Sequence, residues 1–194
     1  IVHIGSTIII NGNQDSTNLF NYVGYSTNCA VTNEASNKII KNIDPRFFKV
    51  AVMDKPTEDE KRRPFLYRYV INIPEAGKFT FMDGGCLDEV TKQKLSGKIT
   101  DEEYKRKIES VKRFERQLSD NGYLVIKFFF HIGEQEQRKR LTRLLDDKNT
   151  RWRVSEYDLW QNQHYKKSLK AFDQFIDDTS QSIAPWYIVD ATDK

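Results

Sequence analysis

The sequence predicts an α/β domain with a mostly parallel sheet of about five strands and helices between them. Two observations lead there. Short apolar runs bounded by polar or turn residues read as buried parallel strands at 7–10, 47–52, 78–82 and 124–132, with a fifth at 186–189 after Ala184-Pro185. Between the runs, apolar residues recur at helical spacing, so strands alternate with helices as in βαβ units with right-handed crossovers.

The elements follow in order. Thr7-Ile8-Ile9-Ile10 forms the first strand and runs into Asn11-Gly12. Residues 11–33, rich in Asn, Ser and Thr with Gly12 and Gly24, show no period and read as a long loop, unusual inside a compact domain. A helix over 35–43 ends at Asp44-Pro45, because the residue before proline resists helical geometry. After the second and third strands, Thr100-Asp101-Glu102-Glu103 is a capping box. Tyr104, Ile108, Val111, Phe114 and Leu118 then mark one helical face that stops at Asn121-Gly122. The fourth strand lies in the apolar run 123–132, which is about half the length a bilayer needs and contains Lys127 and His131. A helix over 134–145 follows. Another starts after Ser155 and reaches about residue 178, with Tyr157, Trp160, Tyr165, Leu169 and Phe172 on its apolar side.

The 194 residues suit one domain, 1–194, with a real core. A net charge of +3 means that an anionic partner must be held by a local basic cluster and not by the global field. Cys29 and Cys86 have no close Cys or His companion, which argues against zinc and a disulfide framework and for a reducing, cytoplasmic setting. The opening Ile1-Val2-His3 and the end at Lys194 suggest a fragment of a longer protein. No nucleic-acid motif and no membrane span is present, so neither DNA nor a membrane is an expected partner.

In a sheet of this kind ligands sit at the C-terminal ends of the strands, so a phosphate grip belongs after the first strand. A phosphate-binding loop needs Gly and Lys five and six residues after Gly12, because glycines let several backbone N–H groups converge on phosphate and lysine neutralises it. Thr17 and Asn18 stand there. Gly97-Lys98-Ile99-Thr100 follows no strand and is read as coincidence. The third strand ends in Met82-Asp83-Gly84-Gly85; an Asp at such a tip can hold Mg²⁺, or can simply cap or turn the chain.

Longer segments carry a resemblance. Lys41-Asn42-Ile43-Asp44-Pro45-Arg46, Lys55-Pro56-Thr57-Glu58-Asp59-Glu60, Pro64-Phe65-Leu66-Tyr67-Arg68-Tyr69 and Ile73-Pro74-Glu75-Ala76-Gly77-Lys78 follow in the order and spacing of the polyphosphate kinase 2 family. So do Phe114-Glu115-Arg116-Gln117-Leu118, Glu136-Gln137-Arg138-Lys139-Arg140-Leu141, Trp152-Arg153-Val154-Ser155 and Ala184-Pro185-Trp186. The chain resembles most the N-terminal half of tandem-domain polyphosphate:AMP phosphotransferases. The resemblance implies a three-layer P-loop kinase-like fold with a helical lid, and phosphoryl transfer between polyphosphate and AMP or ADP with Mg²⁺. It makes Asp83 the catalytic, Mg²⁺-holding aspartate and places Arg68, Arg140, Arg143 and Arg153 against polyphosphate.

Departures from the family pattern accompany these matches. Counting back from Asp44-Pro45-Arg46 puts Thr32 where the loop lysine belongs, and Gly84-Gly85-Cys86-Leu87 replaces the family's Arg-Ser-Trp-Tyr. One lid arginine position holds Leu144. For Arg68 an ion pair competes with a phosphate contact; for the basic run Arg138, Lys139, Arg140 and Arg143, flanked by Arg151 and Arg153, a solvated face competes with polyanion contact. His131 reads as a hydrogen-bonded core histidine, and Trp152, Trp160 and Trp186 as core or lid packing. Two functions follow: a polyphosphate-dependent nucleotide phosphotransferase, or a non-catalytic module that binds polyanion and docks on an active second kinase domain or on another copy.

Overall fold

The computed structural model describes residues 4–11, 44–53 and 55–192. Five strands, β1 (Ile4–Asn11), β2 (Phe48–Val52), β3 (Phe79–Asp83), β4 (Tyr123–His131) and β5 (Trp186–Asp190), form one sheet in the order β2-β3-β1-β4-β5. β2 and β3 pair in parallel, as do β4 and β5. These four strands share one direction, as the alternation of strands and helices predicts.

The central strand does not. β1 runs antiparallel to both neighbours, from Ser6 opposite Asp83 to Ile10 opposite Phe79 on one side, and from Ile4 opposite Phe130 to Asn11 opposite Tyr123 on the other. The expectation of a parallel first strand is therefore corrected. Its run of isoleucines serves both faces of the sheet, and such a pattern reads the same in either direction. The reversal fixes where the chain goes. Asn11 ends beside the starts of β3 and β4, its N–H donating to the Lys78 carbonyl at 3.1 Å and its side chain to the Pro74 carbonyl at 3.3 Å. The chain thus leaves β1 at the edge opposite Asp83.

Seven α-helices are described: α1 (Glu58–Lys61), α2 (Tyr67–Val70), α3 (Cys86–Leu95), α4 (Asp101–Asp120), α5 (Glu134–Asp146), α6 (Glu156–Gln163) and α7 (Tyr165–Thr179). Thr57, Thr100 and Ser155 each close a capping box, with Glu60, Glu103 and Asp158. The single helix expected after Ser155 is broken into α6 and α7. At His164 the backbone leaves helical geometry (φ −113°, ψ 34°), with the ring stacked on Trp160 at 4.5 Å and Nδ1 2.9 Å from the Trp160 carbonyl. Helix α3 was not foreseen, because Cys86-Leu87-Asp88-Glu89-Val90 offers little apolar periodicity. It begins after Gly84, whose φ of +83° lies where L side chains are strained. The predicted loop 11–33 and helix 35–43 lie, apart from Asn11, outside the described residues.

Strand alternation divides the core. Ile9, Met82 and Val125 face α4 through Leu118, and Phe129 continues this layer against Phe172 and Phe175 of α7. The other face gathers Ile8, Phe79 and Phe81 with Phe48 and Phe128. One charged link crosses the first layer. Lys127 on β4 is 2% exposed, and its ammonium donates to both Glu115 carboxylate oxygens at 2.9 Å and to the Thr179 carbonyl at 2.9 Å. Gln181 donates to the same carboxylate at 3.0 Å, so the buried charges are paired and hydrogen-bonded.

Candidate functional site

The C-terminal ends of β2, β3, β4 and β5 meet at one edge, and Asp83 is the last residue of β3 there. It is 4% exposed, and its carbonyl accepts from Met53 N–H at 2.9 Å, which ties the ends of β2 and β3 together. Ser6 of β1 stands directly across from Asp83. Ser6 is fully buried, and its hydroxyl has no hydrogen-bond partner among the described residues.

Helix α3 leaves this edge through Gly84-Gly85 and presents Asp88 in its first turn. Asp88 Oδ2 accepts from the Gly5 N–H at 3.2 Å. Burial pushes its carboxyl up to about 7; the Gly5 bond opposes that and the Asp83 charge reinforces it. One turn on, Lys92 lies 4.1 Å from the centre of the Tyr157 ring of α6. Burial holds the Lys92 ammonium below its ordinary value, Lys55 adds to this, and Asp158 opposes it. Burial likewise pushes the Tyr157 hydroxyl up, with help from Asp88 and Asp158. Acidic and basic side chains of α3 and α6 thus converge beside Asp83. The sequence reading missed Asp88, Lys92 and Tyr157. The available signal was an Asp five residues after Asp83, but an acid in a helix's first turn is ordinary complement to the helix dipole.

The predicted arginines divide into two kinds. Arg68 is buried between Glu60 at 3.8 Å and Glu89 at 3.6 Å. Arg140 donates to Glu136 at 2.7 Å and to the carbonyls of Ala191 and Thr192 at 2.9 and 2.8 Å, fastening α5 to the chain beyond β5. Arg143 and Arg153 are exposed, as is Arg151. Trp152 is 77% exposed, which corrects the expectation that it packs in the core or lid; Arg153 lies 6.0 Å from its ring. Trp160 and Trp186 do pack as expected, Trp186 with its indole N–H donating to the Thr179 hydroxyl at 2.9 Å. His131 sits 3.2 Å from the Tyr165 hydroxyl, a hydrogen-bonded histidine. The positions weighed for a phosphate loop, Gly12, Thr17, Asn18 and Thr32, lie outside the described residues, and Gly97 turns the chain between α3 and α4 without following a strand.

Among the described residues no three Asp, Glu, His or Cys side chains converge into a metal cage. No described helix is long and apolar enough to cross a membrane.

Comparison with known proteins bears on the family and the fold. The sequence model of the family described as Polyphosphate kinase 2 matches residues 25–194, so β1 lies outside the match. The chain is 31% identical over 160 residues to the polyphosphate:AMP phosphotransferase of Pseudomonas syringae pv. tomato, covering 82% of this chain and 32% of that protein. It is 29% identical over 153 residues to the AMP/ADP-polyphosphate phosphotransferase of Meiothermus ruber, covering 79% of this chain and 57% of that protein. The chain thus spans between about a third and somewhat over half of these relatives. In structure it resembles the crystal structure of polyphosphate kinase 2 from Arthrobacter aurescens, with a TM-score of 0.77 at 28% identity over 82% of this chain and 56% of that one. A putative polyphosphate kinase 2 from Pseudomonas aeruginosa gives the same TM-score, 0.77, at 29% identity over 82% of this chain and 34% of that one. A P-loop kinase-like α/β fold and a family match over most of the length agree: the chain belongs to the polyphosphate kinase 2 family.

Proposed function

We propose that this chain is the polyphosphate-recognising part of a polyphosphate-dependent AMP/ADP phosphotransferase, and that its own nucleotide site is degenerate. The observation that carries the second half is the loop lysine, missing from the sequence in either register. In-line phosphoryl transfer needs positioning and charge neutralisation more than covalent chemistry. Thr17 and Asn18 stand five and six residues after Gly12, where Gly and Lys belong, and counting back from Asp44-Pro45-Arg46 puts Thr32 at the lysine position.

On this reading Arg143 and Arg153 grip phosphate oxygens, since an arginine fork needs no phosphate loop. Arg140, engaged by Glu136 and the Ala191 carbonyl, anchors the helix that carries Arg143, while Arg68 is engaged by Glu60 and Glu89. Asp83 is the aspartate that would hold Mg²⁺. A buried carboxylate beside a buried serine hydroxyl without a partner is a hard oxygen set. Mg²⁺ commonly takes one or two carboxylates and completes its shell with water and phosphate oxygens. When bound, the ion would neutralise phosphate charge. Transfer to AMP or ADP would then fall to a second kinase domain in the same cytoplasmic protein, as in a tandem arrangement where 1–194 is the first domain, or to another copy. Retention of the chain on immobilised polyphosphate tests the binding role. Retention at low salt, its loss at high salt, and its weakening in Arg143→Ala/Arg153→Ala support the reading. No retention at low salt overturns it.

A further inference from the structure

We infer that Trp152 is a stacking platform for a nucleobase, with Arg151 and Arg153 beside it to take the phosphate, so that the turn between α5 and α6 holds a free nucleotide. The inference uses neither Asp83 nor a phosphate loop. It does not rest on the polyphosphate reading, although Arg153 serves both.

The turn is tightly built. The Asp147 carbonyl accepts from the Thr150 and Arg151 N–H groups at 3.1 and 3.0 Å, and the Arg153 N–H donates to the Thr150 carbonyl at 2.9 Å. The Thr150 hydroxyl fastens the turn to α5 by donating to the Leu144 carbonyl at 2.9 Å, and the Ser155 cap starts α6 directly afterwards. Trp152 projects from this frame with 77% of its surface exposed. Its indole N–H is already used, donating to the Asn149 carbonyl at 2.8 Å. That bond orients the ring and leaves its faces, rather than its polar edge, for a partner. A large apolar ring held out in water gains by being covered.

The charges around the ring select what covers it. Arg151 and Arg153 are exposed and pair with no carboxylate among the described residues. The Arg153 guanidinium lies 6.0 Å from the ring centre. The acids on either side are occupied: Asp147 accepts from the Asn149 N–H at 2.8 Å, and Asp158 from the Ser155 N–H at 2.8 Å. A flat ring system that carries negative charge fits, its base on the indole and its phosphate on an arginine fork. Proteins that hold single-stranded nucleic acid set several aromatics along a groove. Trp160 and Trp186 are instead half-buried and packed on Tyr157 and Phe175, so one platform is offered, as suits a mononucleotide.

Titration of the isotopically labelled full chain with AMP, followed at the tryptophan indole N–H resonances, tests this. Loss of one signal in Trp152→Phe assigns it. The Trp152 signal should shift saturably, with a dissociation constant in the millimolar range expected of one stacked base and one exposed phosphate contact. The adenine protons should move upfield, the ring-current mark of stacking. Trp152→Leu, which keeps an apolar side chain without a ring, should weaken AMP binding by about fivefold or more. Arg151→Ala should weaken AMP and leave adenosine unaffected. Equal shifts from AMP and from a sugar phosphate without a base, or unchanged AMP binding in Trp152→Leu, overturn the inference. An adenosine oligonucleotide that binds more tightly, base for base, than AMP also overturns it and assigns the turn to single-stranded nucleic acid. A Trp152 signal that ignores AMP but shifts with protein concentration overturns it in favour of a second copy covering the indole. Polyphosphate retention is read separately, so either reading can fail alone.

Discussion

Replacing Lys127 with Met should cost this domain about 3–5 kcal/mol, the range for removing one partner from a buried ion pair. Lys127 is 2% exposed and Glu115 5% exposed, and the ammonium makes all three of its hydrogen bonds inside the protein, to the two Glu115 oxygens and the Thr179 carbonyl. The variant leaves a buried carboxylate with Gln181 as its remaining described donor and leaves the Thr179 carbonyl without this donor. For a chain of this length about 1 kcal/mol corresponds to roughly 2–4 °C in Tm, so the melt should fall by about 6–20 °C. The pH dependence has a definite sign. Burial already raises the Glu115 carboxyl above its ordinary value, and Lys127 is the largest influence opposing it. Without Lys127 the carboxyl rises further. A raised carboxyl pKa penalises the fold above that pKa, and the penalty fades as pH falls through it towards the unfolded value. The deficit against wild type should therefore be largest at pH 8 and shrink at pH 5, as read by thermal melts followed by circular dichroism. Glu115→Leu on top of Lys127→Met should recover most of the loss. A deficit under about 1 kcal/mol, or one that does not change with pH, would refute the view that this pair is a desolvated charge link.

Other consequences can be measured singly. Thr100→Ala removes the side-chain cap of α4 and should lower stability by about 1 kcal/mol, seen as a Tm drop of roughly 2–4 °C; an unchanged melt contradicts the capping box. Arg140→Ala severs two carbonyl contacts beyond β5 and should speed hydrogen exchange at the Ala191 amide, which bonds to the His131 carbonyl at 2.9 Å. If Arg140 instead acts chiefly on polyphosphate, exchange stays as in wild type while retention falls. Calorimetric titration with Mg²⁺-ATP or Mg²⁺-ADP should show weak or no binding, and micromolar affinity would mean that residues 13–32 supply a loop the sequence does not reveal.

Much of the fold was legible because local chemistry agreed with it. The Thr100 capping box, the Asn121-Gly122 stop and the apolar strand runs each state their structure within a few residues. The direction of β1 was not legible, since Ile8-Ile9-Ile10 fits a buried strand either way and only its register against Asp83 and Phe130 decides. The break at His164 was hidden for a similar reason: apolar spacing continues across it, and stacking of His164 on Trp160 overrides the period. At the site, Asp83 could be named from its place at a strand tip. That Ser6 lies opposite Asp83, and that Gly5 bonds Asp88, could not, because both follow from the reversed strand, which has no sequence signature. The arginines were visible as a basic run, but which of them are already engaged by Glu60, Glu89 or the Ala191 carbonyl is a property of packing.

The most direct test of the account is turnover: ADP or ATP formed from AMP or ADP by this chain with polyphosphate and Mg²⁺, measured beside retention on polyphosphate at the same salt. The account predicts retention without turnover, and turnover when a polyphosphate kinase 2 domain with an intact phosphate loop is supplied. Saturable, polyphosphate-dependent formation of ADP or ATP by the chain by itself would contradict it.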